Sequence, residues 1–466
     1  MPTVVMIPTA RPTFAVEAAS ARAESARALL TDLGAHVVGP SSLVMTPGDV
    51  AAAAKFLDPS ADLVVNVCAS FSDAGPALQL YGESSQPVLL WAFREPGPVG
   101  DRLWLNSLCG ANLFGHALVR QGGSVRLLYG NPDERHVRES LEDALLGRLP
   151  EPPALVSREG DRAPVSEVQP ALEAMRGRRM GLVGEAPPGF TPSEYDGHLL
   201  SRVLGLEIEQ LSVEDTFIRV AEVTERDREA ELSGAVIQRP TLGRLSSEHL
   251  GRFAAVTSAL RDWAADERLI GLAVRCWPEF PTELGVCPCS SLSRLADEGM
   301  PTACERDVYG TATMLLLEAL GAGPTYLVDT VDLDAGQNLV RLWHCGSAAT
   351  QLAADGENAT QSVHCNRKIG VTGDFPLKTG AVILARLTED SEAGHLRLLL
   401  ASGESVPEAN RFQGNTAAVH LDVDAEAFVQ ALVTGGFPHH TVLAWTDVRP
   451  QLRTAADLLG IPVVEW

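Results

Sequence analysis

Lysine is nearly missing from this chain. Lys55, Lys368 and Lys378 are the three present among 466 residues. Schiff-base and pyridoxal-phosphate chemistries need a desolvated lysine nucleophile. None of the three stands in a context that suggests one, so those chemistries are set aside. Positive charge is scarce overall: 37 Lys and Arg face 60 Asp and Glu, a formal net charge of -23. Such an excess of acid argues against nucleic acid or an anionic membrane as a partner, because both need Lys/Arg neutralisation. Long apolar runs are absent too: none reaches the roughly 18 residues that span a bilayer. Met1 to Pro8 reads as an apolar strand with no basic segment before it, so a cytoplasmic protein is expected. Eight cysteines are too few for a disulfide scaffold, and reduced thiols are expected. There is no G-x-G-x-x-G and no P-loop sequence. Gly181-Leu182-Val183-Gly184 and Gly321-Ala322-Gly323-Pro324 read as turns and helix ends, which sets dinucleotide and ATP sites aside. No internal repeat of 20–50 residues is visible.

What is present is a rhythm. From residue 1 to 150, short apolar runs alternate with helical stretches. Strands are expected at 4–7, 34–38, 63–67 and 87–91, with helices at 15–33 and 50–56. That alternation predicts a parallel sheet flanked by helices. Ligands sit at the C-terminal strand ends of such sheets, where Arg11, Cys68-Ala69-Ser70 and Trp91-Ala92-Phe93 fall. Leu149-Pro150-Glu151-Pro152-Pro153 marks a break. A second α/β domain is expected over 151–335, including a long helix at 247–266 and strands at 270–275 and 325–328. After 336 the pattern becomes β-rich, with runs such as Ala381 to Leu387 and His395 to Ala401, and continues to 466.

The chemistry lies in the C-terminal half. Glu305 stands in Ala303-Cys304-Glu305-Arg306-Asp307-Val308-Tyr309-Gly310, and Asp329 ends an apolar strand. His344 lies in Leu342-Trp343-His344-Cys345-Gly346, and His439 and His440 follow a Gly-Gly-Phe-Pro turn. Two carboxylates and one or two imidazoles suit a divalent cation if they converge. Each also has a structural reading. Asp307 fits a helix N-cap, Asp329 a turn, and a lone His a satisfied core residue. Cys276, Cys287, Cys289 and Cys304 lack the paired C-x2-C spacing of zinc knuckles. They read as small buried side chains, with a structural zinc site as the alternative.

These residues resemble the L-fucose isomerase and L-arabinose isomerase superfamily. The similar stretches are Cys276-Trp277-Pro278-Glu279-Phe280, the runs around Glu305, Asp329 and His344, Gly435 to His440, and Leu458 to Val463. Asn106-Ser107-Leu108-Cys109-Gly110 adds to them. The resemblance implies two Rossmann-like α/β domains followed by a C-terminal antiparallel β-barrel-like domain. It implies a homo-oligomer with active sites shared between subunits. Residue by residue, the metal ligands fall on Glu305, Asp329 and His440, with His344 where arabinose isomerases have a further His. Glu305 and Asp329 are also the implied catalytic carboxylates. Arg11 falls where fucose isomerases have a substrate-contacting arginine that reaches into a neighbouring subunit's site, and His439 stands where they carry Asn. Trp277 is expected to stack on a sugar and Glu279 to bind its hydroxyls. The implied activity is metal-dependent aldose–ketose isomerisation of a pentose or 6-deoxyhexose through an ene-diolate. Mn²⁺ is the expected cofactor, with Mg²⁺, Co²⁺ or Zn²⁺ as alternatives. An epimerase, a metal-dependent retro-aldol enzyme and a non-catalytic sugar-binding homologue remain open beside it.

Overall fold

The computed structural model describes residues 1–157, 159–355, 358–390 and 393–465. The first apolar runs form a five-stranded parallel sheet: β1 (Thr3–Thr9), β2 (His36–Val38), β3 (Leu63–Cys68), β4 (Val88–Ala92) and β5 (Val125–Tyr129), in the order β2-β1-β3-β4-β5. The inner strands are buried along their length, which is why they read as continuous apolar runs and not as alternation. The strand order reverses between β1 and β3, opening a crevice at their C-terminal ends. There Ala69 N donates to Thr9 O (2.9 Å) and Arg11 N to Ser70 Oγ (3.0 Å).

A four-stranded parallel sheet follows. It comprises β6 (Arg179–Val183), β7 (Glu207–Leu211), β8 (Leu269–Val274) and β9 (Thr302–Ala303), in the order β7-β6-β8-β9. Trp277 comes just after β8 and Glu305 just after β9, so both sit at strand C-termini. The long helix Ser247–Glu267 covers this sheet, its first turn capped by Ser246 accepting from His249 N.

The C-terminal half builds an eight-stranded sheet from β10 (Tyr326–Asp334), β11 (Leu339–His344), β14 (Phe375–Pro376), β15 (Gly380–Asp390), β16 (His395–Val406), β17 (Asn415–Leu421), β18 (His440–Ala444) and β19 (Val463–Glu465). A small ribbon, β12 (Gln361–Ser362) with β13 (Thr372–Gly373), stands apart. Two expectations change here. The sheet is mixed, not purely antiparallel, because β14 pairs parallel with β17 and β19 parallel with β16. The strand read at 325–328 joins this sheet, not the parallel one before it. It lies between β11 and β18, both antiparallel to it. β16 pairs with β17 as well as with β15.

The helix Ser107–Val119 bridges the N-terminal and C-terminal sheets and is buried at every residue except Val119. It packs on the helix Ala425–Thr434 closely enough that a Cβ on Gly115 would lie 2.5 Å from Val433 O. Among the described residues no helix is long and apolar enough to cross a membrane.

Candidate active site

Strand register brings the first pair together. Asp329 on β10 is directly opposite His440 on β18 and also opposite Trp343 on β11, beside His344. His440 is delivered by the Gly435-Gly436-Phe437-Pro438 turn. Gly436 has φ +66°, where a side chain would be strained. Arg397 fastens this turn, donating to Gly435 O (2.7 Å) and Gly436 O (3.2 Å), with its guanidinium 4.1 Å over the Phe437 ring.

Glu305 comes from the other side. Both Glu305 (φ 58°) and Arg306 (φ 57°) occupy the left-handed region, which is costly for non-glycine residues and needs external support. Arg306 supplies it, donating to Gly184 O (2.6 Å) and Ser193 O (3.2 Å), while Ser193 Oγ bonds the Glu305 carbonyl. The turned backbone aims the Glu305 carboxylate at the site. Its Oε1 accepts from Trp277 Nε1 (3.1 Å), and its Oε2 lies 3.1 Å from His440 Nε2. The same His440 nitrogen lies 3.3 Å from Asp329 Oδ1.

Behind His440 stands Asp307. It is the N-cap of the helix Val308–Ala319 and accepts from Gly310 N (2.8 Å). A Cβ on Gly310 would come within 2.7 Å of the carboxylate, so glycine makes room for it. Asp307 is also fully buried, pairs with Arg386 on β15, and bonds His440 Nδ1 at 2.8 Å. Burial alone would raise the Asp307 pKa. The Arg386 guanidinium and His440 hold it well below the usual carboxylate range. An ionised Asp307 can only accept, so His440 Nδ1 carries the proton and Nε2 turns its lone pair to Glu305 and Asp329 whenever the ring is neutral. Burial also opposes charge on His440, but the proximity of Asp307, Asp329 and Glu305 outweighs this and holds its pKa well above the imidazole value. The neighbouring His439 goes the other way. Burial and the positive charge of His440 push it down to about 3, so it is neutral.

These groups face a cavity of about 530 Å³ whose lining includes Arg11, Trp277, Glu305, Asp329, His344 and His439. Asp329, His344 and His440 offer ligand atoms within 4.8 Å of one another, and so do Glu305, His439 and His440. One buried carboxylate oxygen, Asp329 Oδ1, has no hydrogen-bond donor of good geometry among the described residues. An unsatisfied buried acceptor is costly. A divalent cation between the two carboxylates and His440 would satisfy it, so the donor set fits one. His344 is placed differently: its Nδ1 accepts from Cys345 N (2.9 Å), so its Nε2 presents an N–H to the cavity.

Of the residues singled out from sequence, Glu279 alone stands away from this group. It pairs with Arg275 through Oε2 (2.7 Å) and does not line the cavity. The four clustered cysteines are buried as expected but not dispersed. Cys304 Sγ lies 3.0 Å from Cys276 Sγ, and Cys289 Sγ lies 3.5 Å from Cys345 Sγ, against the cavity wall. All eight cysteines are free. Sequence reasoning missed Phe190, whose ring lies 5.5–5.9 Å from those of Trp277, His439 and His440. It also missed Arg386, although a lone arginine in the apolar run Ala381 to Leu387 demands a buried partner. Asp307 was found as a cap but not as the partner of His440.

Known proteins resemble this chain along its whole length. Residues 342–466 match the family model described as L-fucose isomerase, C-terminal domain. A sulfoquinovose isomerase of Alkalicoccus urumqiensis is 34% identical, covering 100% of this chain and 99% of its own. A sulfoquinovose isomerase of Priestia aryabhattai is 31% identical over 98% of each. An L-arabinose isomerase of Aeromonas hydrophila is 26% identical over 46% of this chain and 41% of its own. The chain belongs to the fucose/arabinose isomerase superfamily. It is a sugar isomerase of the aldose–ketose kind. In this isomerase Trp277 has a definite job, since its indole N–H steadies one oxygen of Glu305. Trp277→Phe keeps an aromatic face, smaller than the indole, and loses that donor. A hydrogen bond to a charged group contributes about 1.5–3 kcal/mol. We expect kcat to fall about tenfold or more with little change in thermal midpoint, measured by steady-state kinetics and calorimetry.

Proposed function

We propose that this isomerase interconverts sulfoquinovose, a 6-deoxyglucose bearing a sulfonate on C6, and the corresponding 2-ketose. The convergence of Glu305 and Asp329 on His440 at a sugar-sized cavity carries the reaction type. The names of the full-length relatives support the substrate. When bound by Glu305, Asp329 and His440, a divalent cation, Mn²⁺ in our reading, would supply Lewis-acid polarisation that acidifies the C–H beside the carbonyl.

The chain's own groups then do the proton work. Glu305 is the more exposed carboxylate, its side chain 22% accessible against 8% for Asp329. We assign it the carbon proton, taken from C2 of the aldose and returned to C1. Asp329 moves the hydroxyl proton from O2 to O1. Asp307 fixes the His440 tautomer. His439 is neutral and has an unpaired Nδ1, so it offers a hydrogen-bond partner to a sugar hydroxyl. The eight free thiols are in keeping with a reducing, cytoplasmic setting. We further propose a homo-oligomer, as the family resemblance implies.

The test is turnover of sulfoquinovose in D₂O followed by NMR. Exchange of the captured proton with solvent before its return predicts a 2-ketose carrying deuterium at C1, which excludes hydride transfer. Ketose without deuterium means hydride transfer or return of the same proton, and full turnover by a folded Glu305→Gln protein then overturns the base role of Glu305. Inversion at C2 alone means epimerisation, three-carbon products mean retro-aldol cleavage, and no product at all means a non-catalytic binder.

A further inference from the structure

Two arginines in the cavity are left over from the proton chemistry. Arg367 lies in the loop between β12 and β13, and Arg11 follows β1 at the crevice of the first sheet. Among the described residues neither guanidinium makes an ion pair or a side-chain hydrogen bond. Arg11 rests over the Trp277 ring at 4.7 Å. Burial lowers its pKa, Asp73 offsets part of this, and the like charge of Arg367 lowers it further. This chain has 60 acidic residues, so carboxylate partners are not in short supply. Two neighbouring cations without an ion pair face one cavity, and Asp73 and Glu305 compensate the burial of Arg11 only in part, leaving a cost that a bound anion removes.

The two arginines are also held in place. Arg102 donates to Thr13 O and to Asn366 Oδ1, both at 3.0 Å, tying the segment after Arg11 to the loop of Arg367. That loop is closed on itself: His364 Nδ1 accepts from Asn366 N (3.2 Å) and Arg367 N (3.3 Å), and Lys368 N donates to His364 O (2.8 Å). With its Oδ1 taken by Arg102, Asn366 keeps an NH₂ that has no partner among the described residues at the same wall of the cavity. The ends of two separate sheets therefore present fixed N–H donors to one space.

We propose that Arg11 and Arg367 are the sulfonate-binding site of this isomerase and select the sulfonated sugar over its uncharged counterpart. This rests on the sulfoquinovose reading above. A sulfonate stays ionised at every physiological pH and offers three acceptor oxygens, which suits planar guanidinium forks. Asn366 adds a neutral donor, and Arg102 is a positioning residue that holds the two loops at their spacing.

The experiment compares sulfoquinovose with 6-deoxy-D-glucose, the same sugar without the sulfonate, in the wild type, Arg367→Gln, Arg11→Gln and Arg367→Lys. We expect each Gln variant to lower the sulfoquinovose/6-deoxyglucose ratio of kcat/KM about 100-fold, mainly through the KM for sulfoquinovose, with Arg367→Lys between. Methanesulfonate should compete with sulfoquinovose in the wild type and lose potency in both Gln variants. Thermal midpoints identify any variant that fails to fold, and Arg367, half-buried on a loop, is the safer of the two positions. An unchanged ratio in folded Arg367→Gln and Arg11→Gln overturns the proposal. If the wild type binds sulfoquinovose by calorimetry in an Arg367-dependent way but does not convert it, the sulfonate site stands and the isomerase reading falls. If it neither binds nor converts sulfoquinovose, both fall.

Discussion

Glu305→Gln is expected to lower kcat at least about 10³-fold while the protein stays folded. General acid–base catalysis by a placed side chain contributes roughly 10²–10⁴-fold, and this substitution removes the base without removing its shape. Glutamine can still accept from Trp277 Nε1 through its carbonyl oxygen, and the turned backbone at residues 305 and 306 keeps its supports from Arg306 and Ser193. The Glu305 side chain is partly open to the cavity, and no buried cation loses its only partner, since His440 retains Asp307 and Asp329. Stability should change little. Steady-state kinetics on sulfoquinovose and 6-deoxyglucose, beside calorimetric melting, checks both halves. Turnover within tenfold of the wild type in a folded Glu305→Gln protein would sink the assignment of Glu305 as base.

The second large effect is expected at Asp307, and it is of a different kind. Asp307 and Arg386 are both shut off from solvent, 0% and 1% exposed, and Asp307 holds three partners: Arg386, His440 and Gly310 N. Asp307→Asn keeps the volume and strips the charge. Breaking a buried pair by removing one partner costs about 3–5 kcal/mol, because the other charge is left uncompensated. The thermal midpoint should drop clearly. An asparagine can also present an N–H to His440 Nδ1, which releases the tautomer that points the Nε2 lone pair at Glu305 and Asp329. Loss of such an orienting partner typically costs 10–100-fold in metal affinity or activity. A double variant, Asp307→Asn with Arg386→Met, separates the two roles. Stability should return, because the orphaned charge is gone. Activity and divalent-cation affinity should stay low, because His440 is still unguided. Recovery of both together would mean that Asp307 acts on the fold alone.

The role of Asp307 shows how far the chain could be read in one dimension. Its N-cap function was legible because a cap acts on an amide three residues away, Gly310 N. Its contacts with Arg386 and His440 were not, because those residues are 79 and 133 positions distant. Glu305, Asp329, His344 and His440 were picked out by residue type, local context and family resemblance, while their meeting point depends on pairing β10 with β18 in the register that sets Asp329 opposite His440. A slip of one residue would turn one of these side chains to the other face of the sheet. Glu279 went astray for the reverse reason. It was expected to bind sugar hydroxyls because it stands in a stretch that resembles the isomerases, but an i,i+4 partner, Arg275, claimed it.

Other misses follow from burial. The helix Ser107–Val119 has no polar stripe, because it is enclosed nearly all round, so its sequence carries no 3.6-residue signal. The strand Tyr326–Asp334 announced itself as a strand but not which sheet it would join, since an apolar run records burial and not the identity of its neighbours.

By itself, the sequence determined the chemical inventory: no lysine nucleophile in a suggestive context, no phosphate-cradling loop, and a stock of carboxylates and imidazoles in the second half, with an α/β rhythm that turns β-rich. It determined these because composition, caps and hydrophobic period act within a few residues. Tertiary structure alone decided which acid orients His440, that Glu305 is held in a left-handed turn by Arg306 and Ser193, and that Arg11 and Arg367 share one cavity. Each depends on segments far apart in the chain being packed against one another, and a side chain's charge, tautomer and exposure are fixed by what it meets there.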